Sequence, residues 1–279
     1  MGRISGSPSA PSRADPGARF VQGVPPHTSL VSRTSITRLS RKASSDRATL
    51  DRLLDTVHIG HFAIVADDVD PVVLPTAVVR DGDRVLAHGS TGSRWLRRLA
   101  AGAPTCLAVT AFDALVVARS AFESSMRYRS AVLFGQCQAI TERDAKRRAL
   151  DTITDALIPG RSAEVRASTA KEVAAVLVLA MPIAEWSLKV SEGWPDDPPG
   201  DVAGPAWAGV LPVVQRYDQP LAAPDLRDGI PLPASVRRLL SSFPFVAATT
   251  CRERGLVQSC ATSGLAASGL ARRPNMRLA

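Results

Sequence analysis

Histidine is scarce in this 279-residue chain, with four in all, and none stands in an HExxH, a GxSxG elbow's partner set or a spaced histidine–carboxylate group. That scarcity removes the usual bases of hydrolytic chemistry. It leaves a binding protein, or an enzyme whose chemistry belongs to a cofactor. Cysteine is as sparse. Cys106, Cys137, Cys251 and Cys260 show no CxxC or other metal-ligand spacing, so neither a metal site nor a disulfide framework is expected. A reduced, cytoplasmic protein fits this usage. No apolar run approaches the roughly 20 residues that cross a membrane as a helix. The longest, AAVLVLAMPIA (174–184), is about half that and reads as core. The N-terminus lacks the apolar stretch of a secretory signal.

What the chain does have is positive charge, formally +8. Its distribution decides its meaning. Residues 1–48 hold eight Arg/Lys against two Asp (+6), and 241–279 hold five Arg against one Glu (+4), leaving about −2 for 49–240. A nucleic-acid-binding domain carries its excess on a folded face, so no nucleic-acid partner is expected. Residues 1–43, rich in Ser, Pro and Arg, read as a disordered basic segment. Residues 44–240 read as one domain, and 241–279, ending in SGLAASGLARR, as a disordered tail.

Ser45–Asp46 can cap a helix, ATLDRLLDTV, whose stripe is Leu50, Leu53, Leu54 and Val57. HFAIVA (61–66) reads as a strand. VVLPTAVVR (72–80) and RVLAHG (84–89) flank Asp81–Gly82, a hairpin signal. PTCLAVTAF (104–112) is a further strand, and the segment to Ile140 reads as two more joined near Glu123–Ser125. Thr141 with Asp144 resembles a capping box for a helix ended by Pro159–Gly160, with Leu150, Ile153 and Leu157 on its core face. One or two strands follow in 173–190, then a proline-rich loop and WAGVLPV (207–213). Closely spaced strands with few helices predict a mostly β (α+β) fold built on a closed antiparallel sheet.

Two stretches could hold an anion. In HGSTGSRWLRRL (88–99) a glycine-bearing turn leads into a helix. Its free N–H groups, the hydroxyls of Ser90, Thr91 and Ser93 and the fork of Arg94 suit a phosphate, and His88 ends the strand before it. A plain strand–turn–helix with Thr91 as cap and Arg94 solvated explains the pattern equally well. In ARSAFESSMRYRS (118–130), alternation puts Arg127 and Arg129 on one face and Tyr128 and Ser130 on the other, with Arg119 and Ser120 on the returning strand. An exposed hairpin made soluble by cross-strand charge is the competing reading. The acidic loops DDVD (67–70) and PDDPPGD (195–201) read as solvated turns, and His58 and His61 as packed or solvated.

The run LPTAVVRDGDRVLAHGSTGSRWLRRLAAGAP, then LVVARSAFESSMRYRSAVLFG, then WAGVLP, resembles the pyridoxamine 5′-phosphate oxidase-like family. Within it, the likeness is to the flavin-nucleotide-binding, nitroimidazole-resistance-like branch, over about residues 33–240. The resemblance implies an antiparallel split β-barrel with a few flanking helices, usually a homodimer with FMN at the subunit interface. By position it implies that Thr76, Ala77 and Val78 run beside the flavin ring through their backbone. His88, Ser90, Thr91, Ser93 and Arg94 would hold the ribityl phosphate. Arg119, Ser120, Tyr128, Arg129 and Ser130 would add contacts, and Trp207 would wall the substrate side. The chain departs from the family at Trp95, where the oxidase has a lysine. It departs again at Glu123, Ser124 and Arg127, where relatives in the branch read His, His and Asn. The resemblance implies a flavin-dependent oxidoreductase on an unidentified small molecule, the alternative being a flavin-binding or carrier protein without turnover. Split barrels also host a deazaflavin coenzyme or haem. For haem, His58, His61 and His88 are the available axial ligands in the body.

Overall fold

The computed structural model describes residues 32–65 and 71–241. The acidic loop at 67–70, Cys251, Cys260 and the readings made for 1–31 and for the tail beyond 241 lie outside the described residues. The chain divides into a unit ending at Gln215 and a second beginning at Arg216, where the sequence reading ran one domain to 240. In the second unit, residues 216–233 carry no regular element and a helix occupies Ala234–Ser241.

The described residues of the first unit form ten strands, all paired antiparallel, and five α-helices. In chain order they are β1 (Ala43–Ser44), α1 (Arg47–Thr56), β2 (Ile59–Val65), β3 (Pro71–Asp81), β4 (Arg84–Ser90), α2 (Arg94–Ala100), β5 (Pro104–Val117), β6 (Ser125–Gln136), β7 (Gln138–Ala139), α3 (Arg143–Leu157), α4 (Ala170–Ala174), β8 (Val176–Pro182), β9 (Glu185–Ser191), α5 (Pro199–Val202) and β10 (Gly209–Pro212). The sheet runs β1-β9-β6-β5-β2-β3-β4-β8-β7, with β10 added to β5. Because β7 continues β6 past Cys137 and pairs with β8, the path from β6 through β5, β2, β3, β4 and β8 returns to its own start. The other part of β6 pairs with β9 instead. That fork makes the barrel a split one, mostly β with flanking helices, as expected.

Local chemistry explains the elements. Asp46 caps α1, its carboxylate accepting from the amides of Ala48 and Thr49, and Leu50, Leu53 and Leu54 are buried. The β3–β4 turn is Gly82–Asp83, closed by the Asp81–Arg84 pair, with Gly82 at φ 61°. The helix α3 starts one residue away from the expected box: Glu142, not Thr141, is the cap, accepting from Asp144 and Ala145 at 2.7 and 2.6 Å. PTCLAVTAF and DALVV, expected as separate strands, are one strand, β5, with a bulge between Phe112 and Ala114. Residues 32–43, within the segment read as disordered, carry contacts. Arg33 forms a double hydrogen bond with Glu185 and lies 5.0 Å from the Phe134 ring centroid, and β1 pairs with β9.

Alternation along the strands builds two apolar layers. Inside the barrel lie Phe62, Val78, Val85, Ala87, Leu107, Leu133, Met181 and Leu188, closed by the leucines of α1 and by Leu99 of α2. Each large side chain so buried contributes about 1.5–3 kcal/mol. Outside it, Val79, Leu86, Val178 and Ala180 are covered by Ala149 and Ile153 of α3. Elsewhere on the outer face, large apolar side chains are exposed among the described residues. Ile59, Val65, Val73, Phe112, Leu115, Met126 and Leu211 are exposed there, on β2, β3, β5, β6 and β10.

Candidate flavin site

The strand-to-helix loop is built by its own hydroxyls. Ser90 Oγ accepts the Gly92 N–H (3.1 Å) and Ser90 O the Ser93 N–H (3.0 Å). Ser93 caps α2, its Oγ accepting from Leu96 at 3.3 Å. A hydroxyl that accepts keeps its own proton to give, so Ser90 and Ser93 remain donors toward a ligand. Thr91 does not: its Oγ1 donates to the Ala175 carbonyl at 3.2 Å, as does its amide at 3.1 Å. The cap is therefore Ser93, where the sequence suggested Thr91. At Gly89 the helix packs close: a Cβ there would stand 2.4 Å from Leu96 Cδ1 and would push that side chain aside.

Arg94 begins α2, exposed, with its guanidinium 4.1 Å from the centroid of the Trp95 ring. Among the described residues no carboxylate pairs with it. Trp95, in the position of the family's lysine, is half-buried against the barrel core, so the ring that replaces that cation also packs.

Beside this loop the sheet opens. β3 pairs with β2 along Pro71–Ala77, but with β4 only along Val78–Asp81 against Arg84–Ala87. Past the Val78–Ala87 pair, β4 continues through His88, Gly89 and Ser90 paired with β8 alone. Thr76 and Ala77 thus lie where the β4 side of β3 has no ladder partner among the described residues. Val78 is buried, its amide donating to the His58 carbonyl at 3.1 Å.

The hairpin residues are arranged differently. Arg119 donates through both its amide and Nη1 to Asp197, at 2.8 Å each, and the Asp197 side chain is 1% exposed. This aspartate belongs to the loop expected to be solvated. Ser120 Oγ accepts from Glu123, closing the turn. Arg129 makes a bidentate pair with Asp113 (2.8 and 3.0 Å), which holds its pKa above the ordinary value. It lines a polar pocket of about 500 Å³ together with Asp46, Arg52 and Glu192. Arg127 donates to the Gly193 carbonyl and lies over Trp194 at 5.0 Å. Tyr128 and Ser130 are on the opposite, outer face, with Lys42 5.6 Å from the Tyr128 ring centroid. Trp207 is 69% exposed, stands over Gly209 and lines neither pocket. Among the described residues, no ion pair joins the loop to the hairpin and neither pocket is lined by both.

Two features escaped the sequence. The Arg119–Asp197 clamp spans 78 residues, with no local signal. The second is a pocket of about 390 Å³ between α3 and the barrel, lined by His88, Leu150, Ile153, Leu157 and Val176 among others. The stripe on α3 announced an apolar face but not the space beneath it. His88 Nδ1 and His58 Nδ1 are buried without hydrogen-bond partners. Burial lowers the pKa of His58, opposed by the Asp55 charge. His61 is exposed on β2. Burial pushes the Cys137 thiol up to about 12, which keeps it protonated. No helix among the described residues is long and apolar enough to cross a membrane.

The fold is shared with known proteins. The family model for pyridoxamine 5′-phosphate oxidase matches residues 46–190. The FAD and heme binding protein from Mycobacterium smegmatis is 56% identical over 71% of this chain and 97% of its own, with a TM-score of 0.69. The flavocytochrome Anf3 from Azotobacter vinelandii is 34% identical over 75% of this chain and 97% of its own, with a TM-score of 0.70. A Bacteroides thetaiotaomicron protein assigned to 5-nitroimidazole antibiotic resistance is 20% identical over 53% of this chain and 86% of its own, with a TM-score of 0.47. No curated protein matches. A family model spanning just over half of the chain, and a relative 56% identical over 71% of it, establish that the chain belongs to the pyridoxamine 5′-phosphate oxidase family, whose split barrel it has.

Proposed function

We propose that this protein is a flavin- and haem-binding oxidoreductase, cytoplasmic and homodimeric. The observation that carries the flavin half is the opening between β3 and β4. There the strand edge at Thr76 and Ala77, the donor hydroxyls of Ser90 and Ser93 and Arg94, which no carboxylate pairs among the described residues, adjoin one another in the fold. Backbone groups on an open edge suit the polar rim of an isoalloxazine ring, and an arginine fork suits a phosphate. FMN is the nucleotide the family resemblance implies. FAD is the form bound by the relative that is 56% identical. The haem half rests on that relative, on the flavocytochrome, and on two histidines whose buried Nδ1 atoms lack partners. When bound, the flavin supplies hydride or electron transfer and the haem a one-electron centre. The chain's own residues bind and orient. Ser90 and Ser93 donate, Arg94 neutralises phosphate charge, Thr91 fixes the loop to Ala175, and burial keeps His58 uncharged at neutral pH.

The dimer reading rests on the outer face, where seven large apolar residues lie exposed on adjoining strands. A second copy is the occupant of matching chemistry, and light scattering should give twice the 29.5 kDa chain mass. The test of function is the absorption spectrum of the purified protein, the mass of the released chromophore, and the rate at which a nicotinamide cofactor reduces it. Yellow protein releasing FMN or FAD and bleached by the nicotinamide supports the enzyme. A flavin that no nicotinamide reduces supports the carrier alternative, and a deazaflavin mass reassigns the cofactor. A colourless protein that refuses both nucleotides overturns the flavin reading.

A further inference from the structure

We propose that the pocket between α3 and the outer face of β4 and β8 holds the adenosine half of FAD, so that the chain selects FAD over FMN. The inference rests on the flavin half of the reading above and gives the second nucleotide of that cofactor a place.

The strand pattern fixes where the pocket lies relative to the loop. β4 sends Val85 and Ala87 into the barrel and Leu86 outward, beneath α3. Alternation turns His88, and after it Ser90, to the same outer side. His88 lines the pocket, and so does Val176 of β8, the ladder partner of Ser90. Partners in an antiparallel ladder lie about 5 Å apart between Cα atoms. Thr91 in turn ties the loop to Ala175, one residue before Val176. A dinucleotide whose phosphates sit at Ser90, Ser93 and Arg94 therefore has a recess beside them for its second half.

The walls suit a base. Val178 and Ala180 of β8 are buried under α3, whereas Val176, Leu150 and Leu157 are only partly buried against the same layer. Toward the loop the cover thins, and about 390 Å³ stands open between aliphatic side chains. That size and lining are usual for a pocket that takes the apolar body of a small molecule. The polar groups in it are few. Ser168 makes no hydrogen bond among the described residues, so its hydroxyl is free both to give and to accept. Thr154 Oγ1 donates to the Leu150 carbonyl at 3.0 Å and keeps its lone pairs. Glu172 is already neutralised by a bidentate Arg166, at 2.6 and 2.8 Å, and accepts from the Thr169 amide.

Other occupants meet less of this. An acyl chain leaves the Ser168 hydroxyl unmet. A further anionic group finds Glu172 in the wall and no lysine or arginine in the lining to answer it. FMN ends at its phosphate and leaves the recess unfilled. A purine with its ribose is a flat, uncharged body that brings both donors and acceptors, and the phosphates it hangs from are the ones the loop is built to hold.

The experiment titrates the flavin-stripped, full-length protein with FAD and with FMN, read by flavin fluorescence. Wild type should bind FAD at least roughly tenfold more tightly than FMN. Ser168→Trp, which fills the recess, should bind FAD no better than FMN while its FMN affinity stays at the wild-type value, which shows that it has folded. Arg94→Ala should weaken both nucleotides alike and leave their ratio unchanged. A second measurement fills nothing: the thiol introduced by Ser168→Cys is alkylated and followed by peptide mass. Bound FAD should slow that alkylation at least roughly tenfold, and bound FMN should not. Equal wild-type affinity for the two nucleotides overturns the assignment and leaves the flavin reading intact. So does an FAD preference that survives Ser168→Trp, or a thiol that FAD leaves unprotected. Protection by added ADP while FMN stays bound, with none from FAD, gives the pocket to a separate nucleotide and also overturns it. Wild type that binds neither FAD nor FMN overturns the flavin reading and the assignment together.

Discussion

The two arginine-bearing segments look alike as sequence and differ as structure. In the hairpin, Arg119 meets the nearly inaccessible carboxylate of Asp197 and Arg129 is gripped by Asp113 on both oxygens. In the loop, Arg94 rests on the face of Trp95 and has no carboxylate partner among the described residues. A guanidinium already satisfied by a carboxylate has little left to offer an anion, whereas one resting on a ring keeps its whole fork. What decides availability is an acid 78 or 16 residues away, and no motif that contains the arginine can display it. The difference sorts the site residues implied by the family resemblance. Within one chain Arg119 and Arg129 of the hairpin are held by carboxylates, and Arg94 of the loop, among the described residues, is not.

The strongest way to break this contrast is to remove the hairpin's acid. Asp197→Ala leaves the Arg119 amide and guanidinium without their buried acceptor, and the cost should be about 2–3 kcal/mol of folding stability. Denaturant titration reads it as a lower midpoint at unchanged slope. The flavin content of the protein that remains folded should stay at its wild-type ratio. A variant of normal stability that has lost its flavin would show the clamp to be part of the cofactor site, and the two regions would no longer differ in kind. The complementary change is Arg94→Ala. It should weaken flavin binding by about 1.5–3 kcal/mol, roughly ten- to a hundredfold in dissociation constant, with stability within about 0.5 kcal/mol of wild type. Fluorescence titration of the flavin-stripped protein measures the first and thermal unfolding the second. Unchanged affinity would make Arg94 a solvated surface residue stacked on its neighbour.

The same contrast accounts for what the sequence could and could not tell. The stripe of α1, the β3–β4 hairpin, the apolar face of α3 and the hydroxyl-rich turn before α2 are patterns within a dozen residues, and each was legible. The misses are pairings over long separation or choices between near-equal local options. Phe112–Asp113 reads as a strand end because a charged residue interrupts an apolar run, yet the chain absorbs it as a bulge and Asp113 turns to Arg129. Glu142 outcompetes Thr141 as a cap because its longer carboxylate reaches two amides. Arg33 finds Glu185 across 152 residues. The opening between β3 and β4 is likewise a statement about which strand β4 pairs with after Ala87, which the residues of either strand alone do not carry.

Neutralisation alone does not make an arginine structural, and the smallest expected effect shows why. Arg166 is held by Glu172 as tightly as Arg119 by Asp197, at 2.6 and 2.8 Å, but both of its partners are exposed. Water screens such a pair and solvates either member once the other is gone. Arg166→Gln should therefore lower the thermal midpoint only slightly at pH 7, far less than Asp197→Ala. Acid supplies the sign. The Arg166 hydrogen bonds, with the Thr169 amide and hydroxyl, draw the Glu172 carboxyl from an ordinary 4.5 down to about 2 in the folded protein. A carboxyl depressed on folding stabilises the fold fully above its unfolded pKa and stops doing so as the pH drops through its folded one. The gap between wild type and Arg166→Gln should hold from pH 7 to about 5, then close as the pH falls toward 2. A gap that widens in acid, or one as large at pH 7 as that of Asp197→Ala, would mean that charge pairing rather than burial separates the hairpin arginines from the loop arginine.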